Sequence, residues 1–136
     1  MIGYVTVGAS DLVAAQVFYD AFLQGLGYGL TISHEGLSYA LPYAAGRYAP
    51  DFYVKPPFDG QAASVGNGTM VAFDCATQAH VRACHAAACA AGGQSEGAPG
   101  FRANYGPRFY VGYLRDPQGN KVALFSNNPD EPARPD

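Results

Sequence analysis

Residues 4–28, YVTVGASDLVAAQVFYDAFLQGLGY, decide the fold. The run Ile2 to Val7 is apolar enough for a strand covered on both faces. Ser10 and Asp11 follow it and offer side-chain oxygens to cap a helix. Behind them Ala15, Phe18, Tyr19, Phe22 and Leu26 recur at i, i+3, i+4, i+7 and i+11, which is one helical face. Gly25 and Gly27 supply a stop.

The same order of signals returns at an offset of 66 residues, Tyr4 to Met70, without a gap. Tyr4-Val5-Thr6-Val7 falls on Met70-Val71-Ala72-Phe73. Asp11 falls on Thr77, where a second helix would start. Ala15, Phe18, Tyr19 and Phe22 fall on Val81, Cys84, His85 and Ala88, and Leu26-Gly27 falls on Gly92-Gly93. After the first helix come GLTIS and LSYAL, parted by His34-Glu35-Gly36, then the loop PYAAGRYAP and the strand DFYVK, stopped by Pro56-Pro57. After the second helix QSEGAPGFRANYGP reads as a loop. FYVGYLR and KVALFS follow it, joined by Asp116-Pro117-Gln118-Gly119-Asn120, whose proline and glycine suit a tight hairpin. The expected fold is α+β. Two βαβββ modules, 1–56 and 68–126, are joined by a linker at 57–67 into one domain over 1–126. Their sheets would curve into one mixed surface around a cavity. The Pro-rich tail, 127–136, is expected to be disordered.

Composition narrows the function. The 136 residues carry eight Lys and Arg against eleven Asp and Glu, a net charge of -3, and only 14% charged residues. No basic cluster offers a nucleic-acid surface. No run approaches the ~18 apolar residues a membrane span needs. The start, MIGYVTVGAS, lacks the basic region and long apolar run of a signal peptide. Cys75, Cys84 and Cys89 are an odd number without framework spacing, so reduced thiols and a cytoplasmic location are expected. Three histidines and no tryptophan stand beside ten tyrosines and eight phenylalanines.

The N-terminal stretch above, MVAFDC with HAAACAAGG, and FYVGYLRDPQGNKVALF together resemble the vicinal oxygen chelate superfamily. That superfamily includes glyoxalase I, bleomycin-resistance proteins and extradiol dioxygenases. The resemblance covers nearly the whole chain apart from the tail, and it implies the same paired-module fold. It also implies where a divalent metal would be held, on the inward faces of the first and last strands of each module. Those positions are Tyr4, Met70, Ala123 and a fourth near Phe52 or Tyr53. None is His, Asp or Glu. A slip of one residue reaches only Gly3, Val5, Thr69, Val71, Val122 and Leu124. No metal and no cofactor are therefore expected. His80 shares a helical face with Cys84, His85 lies on the core-facing stripe, and His34 sits in a turn.

Tyr113 and Ala123 are symmetric about residue 118 and should stand across the last hairpin from one another. The expected site is a pocket lined by Tyr4, Phe52, Met70, Tyr113 and Ala123, with Tyr105 and Arg102 over its mouth. The expected function is to bind a small aromatic or apolar molecule without a metal, as bleomycin-resistance proteins sequester drugs. The alternatives are a metal-dependent lyase, isomerase or dioxygenase with displaced ligands, and a metal-free enzyme that uses a tyrosine as acid or base. The resemblance also implies a homodimer.

Overall fold

The Asp11 and Thr77 side chains cap their helices as their residue types dictate. Ala14 N–H donates to Asp11 Oδ1 at 3.0 Å, and His80 N–H donates to Thr77 Oγ1 at 3.0 Å. Gly27 and Gly92 take positive φ, 92° and 100°, just past the two helical segments. In this computed structural model, which describes residues 1–136, these caps and stops frame two copies of one unit. The first is β1 (Tyr4–Gly8), α1 (Leu12–Leu23) with a 3₁₀ turn (Gln24–Leu26), β2 (Gly29–Ser33), β3 (Gly36–Ala40) and β4 (Asp51–Lys55). The second is β5 (Met70–Asp74), α2 (Gln78–Ala90), β6 (Gln94–Phe101), β7 (Tyr110–Arg115) and β8 (Lys121–Ser126).

Each unit folds into a four-stranded mixed sheet, β1-β4-β3-β2 and β5-β8-β7-β6. β1 runs parallel to β4 with Tyr4 opposite Asp51, and β5 runs parallel to β8 with Met70 opposite Lys121. The register therefore repeats along with the topology.

The helix-facing sides share one core of 20 buried residues. In it Tyr19 and Phe22 of α1 meet Tyr39, Phe52 and Phe73, and Phe18 packs edge-on to both of those α1 rings. Phe73 of β5 also stands edge-on to Phe52 and Tyr28 of the first module. With α1 packed against α2, these contacts join the modules through their helix sides. The other faces stay open. Tyr4 is 66% exposed and Met70 44%.

Three expectations need correction. Gln94–Phe101, read as part of a loop, is strand β6. Its glycines and proline hide it from pattern reading, and its pairing with β7 shifts register twice. Phe52 does not line a cavity. It is 3% exposed and faces the helices, while Tyr53 takes the open side. The tail, expected to be disordered, lies along the protein. Glu131 accepts from Gln78 N–H at the start of α2, and Arg134 N–H donates to Pro107 O. A carboxylate at a helix N-terminus and an arginine among carbonyls give the tail polar anchors that its composition conceals.

Candidate binding site

Strand alternation sorts the side chains into a helix-facing set and an open set. On the open face of the first sheet Tyr4, Thr6 and Gly8 stand beside Asp51, Tyr53 and Lys55. On that of the second, Met70, Ala72 and Asp74 stand beside Lys121, Ala123 and Phe125. The repeat makes Tyr4 equivalent to Met70, and Tyr53 to Ala123. Tyr4 and Tyr53 form an edge-to-face pair, centroids 5.5 Å apart at 70°.

These four positions carry the ligands in the metal centre that the resemblance implies. Here they present two phenols, a thioether and a methyl group. That set does not fit a divalent ion, which takes imidazole, carboxylate or thiolate. Nowhere do three or more His, Cys, Asp or Glu side chains gather within reach of one ion. His34 sits exposed at the rim of a cleft. His80 lies on α2 beside Gly25. His85 is buried, with Nε2 3.1 Å from Tyr113 O.

Each open face bears its own cleft. The first, about 610 Å³, is lined by Thr6, Gly8, His34, Lys55, Pro56 and Phe58. Glu35 lies at its edge with Oε2 3.0 Å from Lys55 Nζ. The hydrogen bond from Lys55 holds the Glu35 carboxyl below the usual carboxylate range. The second cleft, about 450 Å³, is lined by Glu96, Gly97, Arg102, Tyr105, Tyr113 and Lys121, among others. The Arg102 guanidinium lies 5.4 Å from the centroid of the Tyr113 ring and Lys121 Nζ 5.2 Å. Desolvation raises the Tyr113 phenol above its ordinary value. A hydrogen bond with Tyr105 adds to the rise, and Arg102 opposes it. Tyr113 therefore keeps its proton at neutral pH.

The structure distributes the six expected lining residues. Tyr105 and Tyr113 share the second cleft. Ala123 sits opposite Tyr113 as expected, but it is 1% exposed. Met70 stands open two strands away on the same sheet, Tyr4 stands open on the other sheet, and Phe52 is in the core. Sequence reading left the fourth position between Phe52 and Tyr53, and the structure gives it to Tyr53; Lys121 and Gly97 were missed. Lys121 was within reach, because alternation back from Ala123 lands on it.

Two βαβββ modules joined through their helix sides, each with one open sheet face, define a protein of the vicinal oxygen chelate class. Similar solved structures bear this out. A glyoxalase/bleomycin resistance protein from Albidiferax ferrireducens T118 is 36% identical, with 93% of this chain and 98% of that one covered and a TM-score of 0.77. The chain belongs to the glyoxalase/bleomycin resistance protein family. A glyoxalase-related enzyme from Fulvimarina pelagi (20% identity, 93% and 88% covered, TM-score 0.65) shares the fold. So does a lactoylglutathione lyase from Agrobacterium tumefaciens (20%, 93% and 92%, 0.61). No protein-family model matches the chain, and no curated protein does. No helix is long and apolar enough to cross a membrane.

Proposed function

We propose that this protein is a metal-free binding member of its family. It holds a small aromatic or apolar molecule against its open sheet faces, and a second copy of the chain closes the site. One observation supports the reading: the positions to which the resemblance assigns the family's metal ligands are Tyr4, Tyr53, Met70 and Ala123, on the open sheet faces. Aromatic rings and a methionine are adaptable apolar contacts, and clefts of these sizes suit a small molecule. The exposure of Tyr4, Met70 and Ile2 supports homodimerisation, since a second copy would cover them. Three free thiols support a cytoplasmic location.

Elemental analysis of the purified protein, with melting curves in added Ni, Zn, Fe and Mn, tests the metal-free claim. No bound metal and no shift in Tm are expected. A stoichiometric metal that raises Tm would instead establish the lyase, isomerase or dioxygenase alternative with displaced ligands. Titration with benzamide, a neutral aromatic probe, should move NMR signals of Tyr53, Met70 and Tyr113. Sedimentation velocity should show a dimer, and a monomer at every concentration would remove the second copy from the reading.

A further inference from the structure

We propose that the cleft on the second module is an anion subsite, built to take the carboxylate of a small aromatic acid. This rests on the reading above that the open faces bind a small molecule, and it adds the charge of that molecule.

Two cations meet at one ring. Arg102 and Lys121 both lie against Tyr113, at 5.4 and 5.2 Å. Neither has a carboxylate partner, since the ion pairs of the chain are Lys55–Glu35 and Arg115–Glu96. Glu96 lines the same cleft, but its carboxylate is committed to Arg115 Nε at 3.0 Å. Two cations lining one cleft without a counter-charge leave it electropositive, and an anion bound there is favoured.

Arg102 is also held in place. Its Nη2 donates to Ala98 O at 2.8 Å and its Nη1 to Phe101 O at 3.3 Å, which leaves further guanidinium N–H groups without a protein acceptor. Gly97 makes the approach possible. A Cβ there would stand 3.1 Å from Arg102 Nη2 and 3.2 Å from the Tyr113 ring. The tail fastens the loop from behind, because Arg134 Nη1 donates to Arg102 O at 2.6 Å and to Tyr105 O at 3.4 Å. The phenols of Tyr105 and Tyr113 line the same cleft, and a hydroxyl can aim its proton at a carboxylate oxygen. Met70 lies directly across from Lys121, so an aromatic body has apolar surface to lie on once its carboxylate is seated. Charge-assisted contacts fixed in advance favour an anion over its neutral isostere.

The test compares benzoate with benzamide by calorimetry and NMR at low salt. Benzoate is expected to bind about tenfold tighter or more, the scale of one charge-assisted hydrogen bond. Lys121→Gln and Arg102→Gln should each erase most of that margin, weakening benzoate several-fold more than benzamide. Lys121 is partly exposed at the edge of the turn, so its variant folds even if Arg102→Gln disturbs the loop. Lys121→Glu should turn the preference toward benzylamine. If benzamide binds wild-type protein as tightly as benzoate, the anion subsite falls and the apolar-binding reading stands. If the benzoate margin survives both Gln variants, the subsite falls too. If neither probe binds, both readings fall.

Discussion

The two modules share strand order and register, yet they close their last hairpins in opposite ways. In the second module residues 116–120 make a buried fastener. Asp116 Oδ1 accepts from the N–H groups of Gln118, Gly119 and Asn120 at 3.0, 2.9 and 2.8 Å. Its Oδ2 accepts from Tyr19 Oη at 2.7 Å and Asn120 Nδ2 at 2.9 Å. Asn120 Nδ2 also donates to Gly8 O at 2.8 Å, and the Gln118 side chain accepts from Ser10 N–H. In the first module residues 41–50 make an open loop whose local ties are an Ala44–Arg47 bridge and a Tyr43–Tyr48 ring pair, with both rings exposed. The turn Asp116-Pro117-Gln118-Gly119-Asn120 is here a joint between modules. The repeat duplicates the fold but not the joint.

The largest expected effect comes from breaking that joint. Asp116→Ala strands three backbone donors and the Tyr19 hydroxyl in a buried place. At about 1–3 kcal/mol for each unsatisfied group, a loss near 5 kcal/mol is expected, with Asp116→Asn milder. Tyr43→Ala in the open loop should cost no more than about 1 kcal/mol. Equal losses in urea melts would show that the hairpins are not different in kind.

The helices offer the next contrast. Phe18 of α1 and Cys84 of α2 hold equivalent places and are both buried. Phe18 meets two other rings and packs where a Cβ on Gly93 would stand 2.5 Å from it. Phe18→Ala should cost roughly 3–5 kcal/mol, and Cys84→Ala about 1 kcal/mol or less. A large effect at Cys84 would mean that α2 carries more of the core than its small side chains suggest.

A third difference appears in alkali. Burial and nearby carboxylates raise the phenols of Tyr19 and Tyr39, both in the first module. Their equivalents in the second are His85 and Leu114. A raised phenol keeps its proton in the folded state while the unfolded chain loses it. The stabilisation is therefore whole below about pH 10, the unfolded value, and declines above it by about 1.4 kcal/mol per pH unit per tyrosine. Tyr19→Phe and Tyr39→Phe should each flatten that limb in melts run from pH 9 upward. An unchanged slope would place the alkaline sensitivity elsewhere.

Much of this was legible in the sequence, and what was not has physical causes. The strand, cap, helical face and glycine stop at an offset of 66 residues carried the fold, because caps and periodicity are local. β6 escaped because an edge strand tolerates the glycines and proline that read as loop. The placing of Phe52 turned on a register of one residue, which two adjacent aromatics cannot settle without the partner strand. The second cleft was half visible. Tyr113 and Tyr105 stand out as aromatic, but Arg102 and Lys121 meet only once β6 and β8 flank β7. Charge pairing between strands is invisible in one dimension.

The smallest expected effect tests that last point. The first cleft holds a lysine on the same face as the second, but Lys55 is tied to Glu35, whose carboxyl stays ionised at neutral pH. If the clefts differ because one cation is neutralised and two are not, removing Glu35 should make the first resemble the second. Glu35→Gln should then let benzoate shift the amide signals of Thr6 and Lys55, which wild-type protein leaves still. Binding should be several-fold weaker than at the second cleft, since one exposed lysine replaces two converging cations on a ring. Wild-type signals that already move at Thr6 would show that pairing with Glu35 does not govern the first face, and that cleft shape rather than charge separates the two.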